Sequence, residues 1–156
     1  MVEYAFWDSP IGCLQIGTEE DAVVSLSLCQ NYEVSEMPSL LVDTVKSQLR
    51  EYFAGERAVF TFPIALKGTP FQTAVWQALL EIPYGQTRTY GQIAAAVGNP
   101  RASRAVGMAN NRNPLCIIVP CHRVIGSNHS LTGYAYGLPM KQYLLSLEAE
   151  HRDQLI

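Results

Sequence analysis

The sequence predicts an α/β (α+β) chain in which a small strand-and-helix part precedes a mainly helical part. Three observations predict this class. Short apolar segments bounded by turn residues fill the first 30 positions, apolar residues recur every four positions over 41–53, and two helix-start signals follow within 69–92. With 156 residues and 48% hydrophobic residues, the chain can form one compact unit or two small ones packed together.

Three strands are predicted at the start of the chain. Residues 3–7 and 13–17 flank a turn-rich link, Asp-Ser-Pro-Ile-Gly at 8–12, and this arrangement favours a hairpin. Residues 22–28 mix valine, leucine and serine and predict a third strand.

A helix is predicted over Leu40 to Phe53, ending near Gly55. Its buried stripe is formed by Leu41, Val45, Leu49 and Phe53. We place the boundary between two domains around 63–68, with an N-terminal α/β domain at 1–65 and a second domain at 66–156.

Two capping boxes predict the first helices of the second part. Thr69 and Gln72 form one box, with Pro70 suited to the first helical position, and Thr89 and Gln92 form the other. The buried stripe of the first helix is Phe71, Val75, Leu79 and Ile82. That of the second is Ile93, Ala94 and Val97.

A third helix is predicted from about Arg101 to Asn110, directly after a tight turn at 98–100. Its predicted buried face is Ala102, Ala105, Val106 and Ala109. The opposite face carries Arg101, Arg104, Met108 and Arg112. Two short helices joined in this way are typical of a helix-turn-helix, although an ordinary helical pair with solvated arginines has the same pattern.

The charge is unevenly divided along the chain. The net charge is −3, but residues 1–62 hold three basic against ten acidic side chains, and residues 63–156 hold eight against four. The second part can therefore face a polyanion, and a chance distribution of surface charge is the alternative.

Neither a membrane helix nor a secretory signal is predicted. No apolar run approaches the roughly 18 residues that indicate a span, and the N-terminus lacks a basic segment leading into an apolar one. We therefore predict a cytoplasmic protein with four free thiols. No Cys-x-x-Cys pair or zinc-finger spacing of histidines occurs, so no metal is predicted.

Residues 115–119 predict a buried strand that delivers Cys121 and His122 at its end. A cysteine thiolate is a soft nucleophile, and a neighbouring histidine can take its proton, directly or through a water. The alternative is that Cys121 is an inert buried thiol and that His122 is a hydrogen-bonded histidine of the core.

Three further features surround this pair in the sequence. Glu148 continues the line of Met140 and Leu144 on the C-terminal helix, so it borders a buried stripe and can orient His122. Asn113 precedes the strand and can fix its loop. Residues 133–137, Gly-Tyr-Ala-Tyr-Gly, can form an aromatic wall that stacks on a flipped base.

In the region that contains these residues, the sequence resembles the O6-alkylguanine-DNA alkyltransferases. Residues 118–124, Ile-Val-Pro-Cys-His-Arg-Val, match the active-site signature of that family. The likeness covers about residues 69–149 and includes Thr89-Tyr90, Arg101 to Gly107, Asn113-Pro114, Gly133-Tyr134, Leu144-Leu145 and Glu148. It implies a ribonuclease H-like first domain and a helical, winged-helix-like second domain that carries the helix-turn-helix and the active-site loop.

The resemblance implies a role for each catalytic residue. Cys121 is expected to accept the alkyl group, activated through a water by His122, while Glu148 holds the imidazole. Asn113 is expected to brace the turns of the site. Tyr90 is expected to lie near the phosphate of the target nucleotide and to help protonate the departing guanine.

The resemblance also implies how duplex DNA is bound. Arg104 is expected to enter the base stack and fill the gap left by the flipped nucleotide, with its helix in the minor groove. The other implied DNA contacts are Tyr90, Arg101, Ala102, Ser103, Met108, Arg112 and Arg123. The implied alkylguanine pocket is formed by Tyr134, Ala135, Tyr136, Val124 and Met108.

The implied activity is irreversible, single-turnover transfer of the alkyl group from O6-alkylguanine to the cysteine of a monomer, with no cofactor. O4-alkylthymine stays open as a second substrate. The chain departs from many relatives at Asn111, His129 and Tyr136, where they carry glycine, and Tyr136 adds bulk beside the pocket. A damage-binding module, a Cys-His hydrolase and a winged-helix regulator are the alternative functions.

Overall fold

The computed structural model describes residues 1–30, 36–128 and 133–155, so the departure at His129 lies outside the described residues. The first 30 residues form an antiparallel sheet of β1 (Glu3–Ser9), β2 (Gly12–Glu19) and β3 (Ala22–Leu28), in that order. This confirms the three predicted strands and the hairpin. A bulge at Gly17 and Thr18 shifts the register, so Val23 and Leu26, three residues apart, can both be buried.

The first helix, α1 (Leu40–Phe53), has the predicted bounds. Ser39 caps it by accepting a hydrogen bond from the amide of Val42 at 3.2 Å. Its buried side chains include Val45, Leu49 and Tyr52, and α1 packs against β1. Of the predicted stripe, Val45 and Leu49 are buried and Leu41 and Phe53 are only half-buried, because the buried face is centred one position further along, on Val42, Val45, Leu49 and Tyr52.

Four more helices follow: α2 (Pro70–Leu80), α3 (Tyr90–Ala96), α4 (Ser103–Asn111) and α5 (Leu138–Leu155). Both predicted capping boxes are present, at the starts of α2 and α3. The indole nitrogen of Trp76 on α2 donates to the carbonyl of Ala109 on α4 at 2.9 Å, which fixes α2 across the helix pair. The turn between α3 and α4 contains Gly98 at φ +86°, a conformation that favours glycine.

The prediction for the third helix of the second part is wrong in two details. The helix begins at Ser103, because Arg101 lies in a turn and Ala102 is the N-cap. Ala105 is exposed, and Asn110 is buried in addition to Val106 and Ala109. The helix is therefore rotated relative to the predicted apolar face, and a polar side chain enters the interior.

The predicted strand at 115–119 is also wrong. Leu115 makes one isolated bridge to Leu26 of β3, and the chain then turns, with Ile117 at φ +69°. A run of apolar residues predicts burial, but by itself it does not distinguish a strand from a buried turn. A short parallel pairing nearby joins β4 (Arg88–Thr89) and β5 (Val124–Ile125).

Both halves of the chain contribute to one hydrophobic core. Besides the bridge at Leu115, Val23 of β3 pairs with Ile64 in the segment that leads to α2. The division at residue 65 stays a prediction. Within the described ranges, no helix is both long enough and apolar enough to cross a membrane.

Candidate active site

Asn113 replaces backbone pairing in the buried turn that precedes Cys121. Its side-chain oxygen accepts from the amide of Leu115 at 2.9 Å, and its Nδ2 donates to the carbonyls of Val119 at 2.8 Å and Leu115 at 3.3 Å. One amide side chain thus holds both ends of the turn. The expected bracing by Asn113 is present, but it supports a turn and not a strand.

Cys121 begins a single 3-10 turn, Cys121–Arg123, and is only 4% exposed. Asn110 of α4 donates from Nδ2 to the Cys121 carbonyl at 3.3 Å. The helix-turn-helix is therefore joined directly to the backbone of the candidate nucleophile.

His122 is fully buried, and its Nε2 lies 2.7 Å from Oε2 of Glu148. Its Nδ1 is buried and has no hydrogen-bond partner among the described residues. Burial lowers the pKa of His122, and the neighbouring Glu148 carboxylate opposes part of that change. The imidazole is thus held on one side while its other nitrogen is available to accept a proton.

Glu148 is a fully buried carboxylate surrounded by donors. Besides His122, it accepts from the Tyr52 hydroxyl at 2.6 Å, from the Gly85 amide at 3.2 Å and from Arg123 at 2.8 and 3.0 Å. Burial alone would raise the pKa of Glu148, but the attraction of His122 and the hydrogen bonds from His122 and Arg123 lower it well below its usual range. Glu148 is therefore a charged anchor.

The structure does not support Arg123 as a DNA contact. Its guanidinium is buried, pairs with both oxygens of Glu148 and donates to the carbonyl of Ile82 at 2.7 Å. Its remaining face lies over the ring of Tyr84, 5.8 Å from the centroid. A buried carboxylate needs a charged partner, and this requirement places Arg123 inside the molecule.

The thiol of Cys121 is influenced by three other groups. Burial raises its pKa, while Asn113, Tyr134 and the charge of Lys141 act to lower it. The Tyr134 hydroxyl is close enough to Cys121 for each group to shift the pKa of the other, but it makes no hydrogen bond of regular geometry. Lys141 is buried on α5 and donates to the carbonyl of Val124 at 2.6 Å.

The expected aromatic wall lies beside the thiol. The rings of Tyr134 and Tyr136 meet edge to face at 5.9 Å, with Ala135 exposed between them. The hydroxyl of Tyr90, the first residue of α3, donates to the carbonyl of Gly133 at 3.2 Å. Tyr90 thus joins the helix-turn-helix to this wall.

The predicted basic face of α4 is on the surface. Arg104 and Met108 are exposed on the helix, and Arg101 and Arg112 are exposed at its two ends. Ala102 and Ser103 are half-buried. Val124 of the predicted pocket is fully buried in β5, and Met108 is 60% exposed.

Together these groups form a chemically competent unit. A buried thiol is followed by an imidazole that can accept a proton, and a charged carboxylate can stabilise the imidazolium. No cluster of three or more potential metal-ligating side chains occurs in 1–30, 36–128 or 133–155.

Two family models match almost the whole chain. Residues 2–66 match the ribonuclease-like domain, and residues 70–150 the DNA binding domain, of 6-O-methylguanine DNA methyltransferase. The chain belongs to the 6-O-methylguanine DNA methyltransferase family. The resemblance seen in the sequence is thereby confirmed.

Individual relatives agree with the family models. A methylated-DNA–protein-cysteine methyltransferase of Methanosarcina acetivorans is 51% identical over 93% of this chain and 97% of its own length. The constitutive enzyme of that name from Bacillus subtilis is 52% identical over 93% and 94%. The crystal structure of the Mycobacterium tuberculosis O6-methylguanine methyltransferase has a TM-score of 0.87 at 47% identity, covering 97% of this chain and 94% of that one. The Mycobacterium tuberculosis protein has also been crystallised in complex with DNA; that structure has a TM-score of 0.87 at 46% identity and covers 95% and 93%.

In this family member, the structure adds three residues that the sequence interpretation missed. Lys141 could have been found, because it lies one turn before Leu144 and two turns before Glu148 on a buried helix face, where a charged residue is rare. Tyr52 and Asn110 had no such signal. Their roles depend on contacts across 96 and 11 residues of chain.

Proposed function

We propose that this chain repairs DNA by transferring the alkyl group of an O6-alkylguanine in duplex DNA to Sγ of Cys121. The observation that carries the proposal is the buried Cys121, followed by a histidine whose Nε2 is held by Glu148 and whose Nδ1 has no partner among the described residues. The family membership and the names of the relatives support the same reaction class.

DNA is proposed to bind at the exposed face of α4. The side chains of Arg104 and Met108 extend from this face, with Arg101 and Arg112 at the helix ends to contact phosphates. The small residues Ala102 and Ser103 at the start of α4 allow the duplex backbone to approach closely. We propose that α4 enters the minor groove, that Arg104 replaces the extruded nucleotide, and that the protein acts as a monomer in the cytoplasm.

Base flipping is required by the burial of the nucleophile. Cys121 is 4% exposed, and a base in a stacked duplex cannot reach it without leaving the helix. Tyr134 and Tyr136 supply aromatic surfaces beside the thiol that can receive such a base. Tyr90 lies between α4 and this wall, where it can contact the phosphate of the flipped nucleotide.

The proposed chemistry is an in-line displacement at the alkyl carbon. The proton of Cys121 passes to Nδ1 of His122, through a bridging water, and Glu148 stabilises the resulting imidazolium. The sulfur–carbon bond forms while the carbon–oxygen bond breaks, and its electron pair stays with guanine. Guanine takes up one proton from the Tyr90 hydroxyl and leaves as the normal base; His122 then releases its proton to solvent, and the Tyr90 oxygen regains one from solvent. Because a thioether is stable and no group is proposed to hydrolyse it, each molecule reacts once.

Intact-mass spectrometry after mixing with duplex DNA that contains O6-methylguanine tests this proposal. We expect the protein to gain one methyl group, located on the Cys121 peptide, and we expect Cys121→Ser to gain none. Cys29→Ala, which alters a half-buried thiol near the end of β3, is the matched control and should react normally.

Two results would contradict the proposal. Binding of the lesion without any mass gain would indicate a damage-binding module. Sustained turnover on an ester or a peptide would indicate a Cys-His hydrolase.

A further inference from the structure

We propose that Tyr52, on α1 in the first half of the chain, is a positioning residue that limits the basicity of His122, the proton acceptor of Cys121, through Glu148. The inference rests on the proposed function, since it concerns the same alkyl transfer. It also assigns the first half of the chain a part in the chemistry, exerted through Glu148.

One oxygen of Glu148 accepts three donors. Oε2 lies 2.6 Å from the Tyr52 hydroxyl, 2.7 Å from Nε2 of His122 and 3.0 Å from a guanidinium nitrogen of Arg123. Because all three interact with the same lone pairs, a stronger bond from one donor leaves less negative charge for the others. Tyr52 therefore competes with His122 for the charge of Glu148.

The position of Tyr52 is fixed by aromatic packing. Its ring is fully buried and lies against Phe53, Phe60 and Tyr84, with centroids 5.3, 5.5 and 6.3 Å away. Burial, followed by the charge of Glu148, raises the pKa of Tyr52 well above its usual value. The hydroxyl is thus a permanent proton donor over the pH range in which alkyl transfer can be measured.

Other charged groups also affect the protonation of His122. Glu148 favours imidazolium at His122, whereas Arg123 and Lys141 oppose it. Further out, His151 packs against Gly55 at the end of α1, and Arg152 packs against Gly85. The other groups that act electrostatically on Tyr52, Glu148 and His122 are Tyr84, Arg123 and Lys141. Replacing the Tyr52 hydroxyl by hydrogen leaves all of these unchanged.

Loss of the hydroxyl should have two linked effects. Oε2 of Glu148 would interact more strongly with His122, so His122 would become protonated at higher pH. Transfer of the Cys121 proton to His122 would also become more favourable, because the imidazolium that forms is better stabilised. A rise of about one pH unit in the acid limb, the size expected for one hydrogen bond to a carboxylate, therefore accompanies a higher plateau rate.

The test compares Tyr52→Phe with Tyr84→Phe in the full-length protein. The Tyr84 hydroxyl is buried in the same aromatic cluster, but it has no hydrogen-bond partner among the described residues, so its removal is a matched control. Single-turnover transfer from methylated duplex is measured as a function of pH. We expect the acid limb of Tyr52→Phe to move about one unit up with a higher plateau, and that of Tyr84→Phe to coincide with wild type.

A structural role alone would lower the amount of active protein without moving the acid limb, so an unchanged midpoint in folded Tyr52→Phe overturns the inference. If that variant does not fold, 3-fluorotyrosine at position 52 keeps the ring and strengthens the donor, and the acid limb should then move to lower pH. If the acid limb of the 3-fluorotyrosine protein coincides with that of the wild type, the inference is also overturned. Absence of transfer in the wild type would instead contradict the proposed function.

Discussion

Beside Cys121, the two ring nitrogens of His122 have different functions. His122 is held at Nε2 by Glu148, and its buried Nδ1 has no partner among the described residues. Burial raises the pKa of the Cys121 thiol, so the protein holds a neutral thiol until substrate arrives. The carboxylate of Glu148 makes proton transfer to His122 possible, because it stabilises the charge that forms on the imidazole.

Glu148→Gln should therefore lower the plateau rate of alkyl transfer and move the acid limb of its pH profile in the acidic direction. Without the carboxylate charge the imidazolium is less stable, so His122 accepts the Cys121 proton less readily and becomes protonated only at lower pH. We expect the midpoint of the acid limb to fall by about one pH unit or more. Glu150→Gln, an exposed position on the same helix, is the control. A coincident profile for wild type and Glu148→Gln would show that Glu148 does not support the imidazolium.

At the scale of elements, α4 connects the surface to the thiol. Its exposed side carries Arg104, and its buried end carries Asn110, which holds the Cys121 carbonyl. The start of α3 has a similar double function, since its first residue, Tyr90, bonds to Gly133 of the aromatic wall. Helix placement therefore positions the candidate reacting groups as well as the proposed DNA-binding face.

Arg104→Ala should weaken transfer from duplex DNA more than transfer from the free alkylated base. Extruding a base costs a few kcal/mol, and a side chain that fills the gap recovers part of that cost. We expect a loss of about tenfold on duplex and little change on free O6-alkylguanine. Rates of alkyl transfer measured in parallel on the two substrates test this prediction. An equal loss of rate on both substrates would exclude this role for Arg104.

The two capping boxes provide a matched pair of variants. Thr69→Ala and Thr89→Ala remove equivalent caps, and each should lower the free energy of unfolding by about 1 kcal/mol. Only Thr89→Ala should also slow alkyl transfer, because it loosens the helix start that carries Tyr90. Thermal unfolding and single-turnover rates measure the two effects. Equal rates for both variants would mean that the start of α3 does not position Tyr90.

For the whole molecule, Glu148 is the point at which distant parts of the chain meet. It bonds to Tyr52 of α1, to the Gly85 amide and to the turn at Cys121–Arg123, while itself lying on α5. Its pKa is lowered in the folded state. A carboxyl group of this kind contributes stability above its unfolded pKa of about 4.3, and that contribution is lost as the pH falls through the folded value.

Wild type should therefore lose stability below about pH 4.3 more steeply than Glu148→Gln. At neutral pH the variant should be the less stable of the two, and the difference should narrow in acid. Chemical denaturation at several pH values measures this difference. Glu36→Gln removes a partly exposed carboxylate that is bonded to Phe6 and Lys46, and its effect should be smaller. If the difference in the free energy of unfolding between wild type and Glu148→Gln does not change with pH, this account is contradicted.

Short-range patterns in the sequence predict much of the fold and part of the candidate site. The strands, the bounds of α1 and both capping boxes follow from local spacing, because backbone geometry repeats over two or four residues. Glu148 was placed near His122 because its helix line is apolar, and the family signature identified Cys121. The apolar run at 115–119 indicated burial correctly, but its conformation depends on hydrogen bonds from Asn113.

The sequence alone therefore predicts most of the helices and strands, the family and the candidate nucleophile. Which donors surround Glu148 follows only from the packing of the folded chain. Arg123 points inward to neutralise a buried charge, and Tyr52 arrives from 96 residues away to share the oxygen that His122 uses. Such contacts depend on how the two halves pack, and no local periodicity encodes them, because the energy of a buried charge is set by every group around it.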